Sequence, residues 1–321
     1  MRRLSRALCA PLAVAAALAG ACVTPGAHAP SAPELDDTSN GTGYALVNEA
    51  WIRVRDTGPA TGSLPVVLVH GYGSRLEIWR PIQDALVGER RVVSYDQRGF
   101  GLSERPAGAY GPEIHARDLL KLLDELGIER AVLVGHSYGG GVVARAALKA
   151  PERVAAVVLV DSFLLEEQMT TTFHWAKAPV VGELLFGAFY REVPGEKYLL
   201  AFHDQQRFVT VAALDEQKVL MAKPGSVYAA LETVRGMDYR EHEGRYGELT
   251  APMLILWGEN DRVTPLSQGK RIAGFFDAAE LRVIPACGHV PSWERPGAVL
   301  AALRPFLSRT DASEADQGGA P

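Results

Sequence analysis

Ala131-Val132-Leu133-Val134-Gly135-His136-Ser137-Tyr138-Gly139-Gly140 decides how this chain is read. Ala131–Val134 is a short continuous apolar run, as expected of a strand buried on both faces. It runs into Gly-x-Ser-x-Gly, and residues 139–149 then read as a helix. A strand that must turn sharply into a helix while presenting a serine has no room for side chains at the flanking positions. Glycines two before and two after the serine remove them. The helix that follows aims its free N–H groups and dipole at charge developing beside that serine.

Working outward, Val66–Val69, Arg91–Tyr95, Val154–Val160, Met253–Trp257 and Leu281–Ile284 are further strand candidates, and Tyr44–Val47 with Trp51–Arg55 reads as an edge hairpin. Ile114–Leu126 places Leu119, Leu122, Leu123 and Leu126 at helical spacing and stops at Gly127. Residues 266–275 and 296–307 are predicted helices, the last opening on Pro296, which suits a first helical turn. Alternation of this kind predicts an α/β fold, a parallel sheet covered on both faces. The alternation breaks at 163–246, a stretch of helices holding 12 of the 25 aromatic residues. That enrichment, and the place where the break falls, predict a cap or lid with an aromatic inner face. The expected organisation is 44–162 core, 163–246 cap, 247–309 core, and a disordered tail at 310–321.

The first residues differ from the rest. Arg2, Arg3 and Arg6 precede an apolar run, Leu8–Ala19, and then Ala19-Gly20-Ala21. This is the layout of a signal peptide over 1–21, so an exported protein is expected. Cleavage after Ala21 would leave Cys22 first. Leu18–Cys22 resembles a lipobox, with Ala19 where Leu is preferred, which makes Cys22 a candidate membrane tether. Cleavage after Ala29 is the other option. The Pro, Ala, Ser, Thr and Gly of 22–43 predict a flexible tether. Only Cys287 remains in the body, so no disulfide is expected there. The net charge of −5, with both signs spread along the chain, gives no support to a nucleic-acid partner.

A serine hydroxyl needs a base, and the base needs a carboxylate to orient it. His70-Gly71-Tyr72-Gly73 follows the strand at 66–69, Asp96-Gln97-Arg98-Gly99-Phe100-Gly101-Leu102-Ser103 follows that at 92–95, and Trp257-Gly258-Glu259-Asn260-Asp261-Arg262-Val263-Thr264-Pro265 follows that at 253–257. Cys287-Gly288-His289 precedes the last helix. Together with the serine turn, these motifs, in this order, resemble the α/β-hydrolase superfamily over about Tyr44–Leu307. The resemblance implies a mostly parallel eight-stranded sheet with a helical cap inserted after the sixth strand. It also implies that Ser137 is nucleophile, Asp261 acid and His289 base, with the backbone N–H groups of Tyr72 and Tyr138 as the oxyanion hole. Asp161, after Val154–Val160, is the rival acid. His174, His203 and His242 lie in the inserted stretch and are read as polar cap residues. Glu259, His70 and the Asp96–Ser103 stretch are read as loop-shaping.

The expected function is serine hydrolysis of small carboxylic esters, with apolar groups favoured by the aromatic cap and with no metal or organic cofactor. A serine at the turn disfavours the branches that use an aspartate nucleophile, such as haloalkane dehalogenases and epoxide hydrolases. Carbon–carbon bond hydrolases and cofactor-free haloperoxidases or perhydrolases keep the serine and stay open. A non-catalytic binder on the same scaffold is the reading from another class, and such proteins usually lose a member of the constellation. Substrate identity and oligomeric state are not legible in the sequence.

Overall fold

A computed structural model describes residues 23–29, 31–34, 39–60, 62–190 and 194–318. The expected signal at 1–21 and Cys22 lie outside the described residues. Eight strands form one sheet: β1 (Thr42–Val47), β2 (Ala50–Thr57), β3 (Val66–Val69), β4 (Val92–Tyr95), β5 (Ala131–His136), β6 (Val154–Val160), β7 (Met253–Gly258) and β8 (Glu280–Ile284). Their order is β1-β2-β4-β3-β5-β6-β7-β8. The β1–β2 hairpin and the β2–β4 pair are antiparallel, and the other pairs are parallel.

Strand periodicity divides the core in two. Val67 and Val69 of β3 face one apolar layer, whereas Val66 and Leu68 face the other. Helices α1 (Arg80–Leu86), α2 (Pro112–Glu125) and α3 (Tyr138–Lys149) follow β3, β4 and β5. Ile82 and Leu86 of α1 cover one face, and Leu119 of α2 with Val142 and Val143 of α3 cover the other. Every residue of β3, β4, β5 and β6 is buried. Each such Val or Leu contributes about 1.5–3 kcal/mol, so the carboxyl ends of these strands form a fixed platform.

After β6 the chain leaves the sheet for α4 (Thr171–Ala176), α5 (Val181–Phe189), α6 (Pro194–Ala201), α7 (Gln205–Phe208), α8 (Val211–Met221), α9 (Ser226–Arg235) and α10 (Arg240–Glu243). No described strand interrupts them. The chain then re-enters at β7 and finishes with α11 (Leu266–Ala273), α12 (Pro291–Glu294) and α13 (Pro296–Gly318).

Two terminal expectations are corrected. The expected disordered tail at 310–321 instead continues α13 through 318. Buried Thr310 donates its hydroxyl to Phe306 O, Asp311 pairs with Arg90 at 2.9 Å, and Glu314 pairs with Arg130 at 3.0 Å. Polar composition suggested disorder, but these side chains find cations supplied from before β4 and β5. Nor are residues 23–29 of the expected tether free. Val23 packs on the core, Gly26 N donates to Arg105 O at 2.7 Å, Ala29 N donates to Glu104 Oε1 at 2.6 Å, and Trp51 Nε1 donates to Ala29 O at 3.1 Å. Backbone groups of this extended segment find partners far away in sequence, which composition does not reveal.

Candidate active site

Ser137 sits between β5 and α3 with φ 51° and ψ −122°, a left-handed strained conformation for a non-glycine residue. Its backbone is held by Ser137 N donating to Val160 O and by Phe163 N donating to Ser137 O, at 2.9 and 2.8 Å. The flanking glycines are sterically required. A Cβ on Gly135 would lie 2.4 Å from Gly139 O, and one on Gly139 would lie 2.4 Å from Val69 O. Tyr138 opens α3, so its N–H is one of the donors that a helix start leaves without an intrahelical partner.

The loop after β3 passes directly over this turn, since a Cβ on Gly71 would lie 3.0 Å from Ser137 Cβ. Tyr72 therefore follows a backbone segment packed on Ser137, and its ring stands against Tyr138, Phe100 and Phe173. His70 ties the loop down. Its Nδ1–H donates to Gly71 O at 2.7 Å, and its Nε2 accepts from Gln97 N at 2.9 Å. Asp96 closes the neighbouring loop by accepting from Leu76 N and Leu102 N, both at 2.7 Å, while Arg98 pairs with Asp118.

Asp261 and His289 arrive on the loops after β7 and β8. His289 Nδ1 lies 2.8 Å from Asp261 Oδ2. Asp261 Oδ1 accepts from Val263 N and Thr264 N at 2.7 and 2.9 Å, and Thr264 Oγ1 donates to Asp261 Oδ2 at 2.6 Å. Burial opposes ionisation of Asp261. The His289 imidazole and hydrogen bonds from His289, Asp161 and Thr264 outweigh it and hold the pKa down to about 2. Donation from Nδ1 to this carboxylate leaves Nε2 with its lone pair free to accept a proton.

Asp161 is fully buried beside this pair, and its Oδ1 accepts from Gly258 N at 2.8 Å. Burial first, then the Asp261 charge, raises its pKa well above the carboxylate range. That shift favours the neutral form of Asp161 next to the Asp261 carboxylate. The imidazole contact thus belongs to Asp261, and the rival acid stands behind it. Asp161, Asp261 and His289 also form the one acid–imidazole group among the described residues close enough to hold a metal ion. Here Asp161 Oδ1 is taken up by Gly258 N, and both oxygens of Asp261 are taken up by Val263 N, Thr264 and the His289 imidazole.

Sequence reasoning missed two residues. His136, the variable position before Ser137, donates from Nε2 to His289 O at 2.6 Å, joining the serine turn to the histidine loop. Burial and the nearby His289 push its pKa down to about 3, which keeps it neutral. Glu294 of α12 accepts from Gly288 N, His203 N and Asp204 N at 2.8, 2.9 and 3.1 Å. Ala201 O, at the end of α6, accepts from His289 N at 2.6 Å. The inserted helices are therefore bonded to the loop bearing His289. Among the other histidines, His203 contributes its backbone here, and His174 and His242 lie on α4 and α10. Glu259 accepts from Ala286 N, bracing the same loop. His136 and Glu294 carry no motif of their own.

The site lies at the carboxyl ends of the parallel strands, where open α/β sheets place their ligands. A family model described as the alpha/beta hydrolase fold matches residues 65–296. The chain is an α/β hydrolase. This α/β hydrolase is 27% identical over 274 residues to the 2-hydroxy-6-oxononadienedioate/2-hydroxy-6-oxononatrienedioate hydrolase of Cupriavidus pinatubonensis, covering 80% of this chain and 90% of that one. It is 28% identical over 263 residues to the 2-hydroxymuconate semialdehyde hydrolase of a Pseudomonas species, covering 78% and 88%. Among solved structures, it resembles a thermophilic esterase from Thermogutta terrifontis with a TM-score of 0.70 at 25% identity, covering 84% of this chain and 99% of that one. Expectation and finding agree on the family and on the eight-stranded fold.

Proposed function

We propose that this α/β hydrolase cleaves carboxylic esters through an acyl-enzyme formed on Ser137. The observation that carries this reading is the 2.8 Å Asp261–His289 contact, on a loop that His136 joins to the strained Ser137 turn. His289 Nε2 takes the Ser137 proton as Oγ attacks the carbonyl carbon. The resulting oxyanion is met by the N–H groups of Tyr72 and Tyr138. The imidazolium, stabilised by Asp261, returns the proton to the departing alkoxide. Water then repeats the sequence with His289 as base, and Ser137 leaves with its proton restored. The route uses no metal or organic cofactor.

Ser137→Ala is expected to reduce hydrolysis of a p-nitrophenyl acylate by more than about 10³-fold, since triad removal typically costs more than one oxyanion donor does. A fluorophosphonate probe should label the native protein and not the variant. Wild-type rates in Ser137→Ala would overturn the reading.

The named relatives favour a second reading. A 2-hydroxy-6-oxo acid carries a ketone and no ester, so its hydrolysis breaks a carbon–carbon bond. The same residues would serve, with a stabilised carbanion leaving in place of an alkoxide. A panel of esters beside a vinylogous 1,5-diketone acid separates the two: turnover of the diketone alone favours the second. Export, with a lipid tether through Cys22, is proposed on the Arg-led apolar segment and the Leu18–Cys22 stretch. Metabolic labelling with a palmitate analogue, lost in Cys22→Ser, is the expected result.

A further inference from the structure

Lys197 is a cation that the reaction outlined above leaves unused. It stands on α6, one helical turn before Ala201, whose carbonyl accepts from His289 N. The carboxyl end of α6 is thus tethered to the histidine loop, and Lys197 stands within about one turn of that junction. Its Nζ lies 5.3 Å from the centre of the Tyr72 ring and 5.4 Å from that of Tyr190. Tyr72 belongs to the loop packed on Ser137, and its ring also touches that of Tyr138. The ammonium is thereby held between Tyr72, on the loop packed over Ser137, and Tyr190, at the end of α5.

No described carboxylate pairs with it. The side chain as a whole is solvent-accessible, yet burial of its charged end pushes the pKa down to about 8. Two tyrosine faces compensate an ammonium only in part, by about 0.5–2 kcal/mol each. A desolvated cation without a counter-charge is costly unless something else supplies one. Other desolvated cations in this chain are met either by carboxylates, as Arg53 is by Glu77 and Asp96 and Arg98 by Asp118, or by oxygen acceptors, as Arg105 is by Ser226 Oγ, Ser103 O and Gly101 O. Among the described residues, the Lys197 ammonium meets the two rings alone.

We propose that Lys197 binds a carboxylate carried by the substrate a few bonds from the scissile carbonyl, so that the preferred substrates are half-esters of dicarboxylic acids. This rests on the ester reading and deepens it, since the apolar chain of such a substrate lies along the Tyr72, Phe100 and Phe173 rings while its far end meets the ammonium. Lys197 is a specificity-determining residue in this account and takes no part in proton transfer.

Monoethyl and diethyl adipate test it, because they differ only in that charge. In the wild type, kcat/KM for the monoester should exceed that for the diester by about 10-fold or more, the worth of one charge-assisted hydrogen bond. Lys197→Met should abolish that preference by raising KM for the monoester, leaving the diester within about 3-fold. Lys197→Arg should restore most of it. Equal rates for the two esters in the wild type, or a parallel loss of both in Lys197→Met, would overturn the proposal. Calorimetry on Ser137→Ala separates this from failure of the ester reading. Tighter binding of the monoester without wild-type turnover would keep the carboxylate site and reject ester chemistry. Absence of a charge preference in binding would reject the site whatever the turnover.

Discussion

β6 and α8 are built from similar apolar stock and treat it differently. All seven residues of β6, Val-Ala-Ala-Val-Val-Leu-Val, are buried. In α8 only Leu220 and Met221 are buried, while Val211 and Val219 are 75% and 68% exposed. The same holds nearby, where Trp175 is 61% exposed and Leu199 and Leu200 of α6 also face solvent. The strands are closed in by two apolar layers, whereas the inserted helices rest on the platform by one side. A segment with few buried apolar contacts opens locally at a lower free energy than the core it sits on. Thus the sheet fixes Ser137, Asp261 and His289, and the exposed helices of the insertion are the part that opens at the lower free energy.

Three substitutions break or sharpen this contrast. The largest effect is expected at the point where the two regions are joined. Glu294→Ala removes a buried acceptor shared by Gly288 N on the histidine loop and by His203 N and Asp204 N in the insertion. With hydrogen bonds to a charged group worth about 1.5–3 kcal/mol each, urea unfolding should show a loss of at least about 3 kcal/mol. Ester kcat should fall by more than about 10-fold as His289 loses its support. An unchanged unfolding midpoint and kcat would mean that the two regions are joined elsewhere.

A smaller effect, confined to the sheet side, is expected at Asp161. Its native pKa is raised above its unfolded value of about 3.9. As pH rises above that value the unfolded chain loses a proton that the native state keeps, so Asp161 costs stability at neutral pH and nothing in acid. Asp161→Asn keeps the shape and an oxygen acceptor for Gly258 N and removes the titration. Its Tm should rise at pH 8 by about 2–4 °C, the shift that about 1 kcal/mol produces in a chain of this size, with a smaller gain at pH 4.5. Equal changes at both values would show that the native carboxyl is ionised. The smallest effect belongs to the insertion surface. Val211→Ser should alter stability by no more than about 0.5 kcal/mol and leave ester turnover unchanged. A loss of several kcal/mol would reveal that this valine is covered.

Legibility follows the same division. The buried strands were readable because continuous β-branched runs have few other uses. The Ser137 turn was readable because its glycines answer a steric demand visible in one short stretch. Asp261 and His289 are legible through motif order, whereas the choice between Asp261 and Asp161 rests on the imidazole contact, which only the fold reveals. What stayed hidden acts across long sequence separations. Glu294 reaches back about 90 residues to His203 and Asp204, and His136 crosses 153 positions to His289. Lys197 stands in a helix whose periodicity says nothing about which ring its ammonium meets. The terminal segments misled for a related reason, since a polar or Pro-rich composition records the lack of a core and not the presence of distant partners.

The strapping of residues 23–29 to Glu104 and Arg105 has a practical corollary. Gly26 also sits against the turn between α8 and α9, where an added Cβ would lie 3.4 Å from Pro224 O. The last helix meanwhile carries Glu314 to Arg130, just ahead of β5, at the amino-terminal edge of the strands. A fluorophore coupled at Val23 would therefore report on the segment after β4 and the turn between α8 and α9, and one coupled near Glu314 would mark the amino-terminal edge of the strands. One polypeptide thus offers two labelling points at opposite ends of its parallel strands.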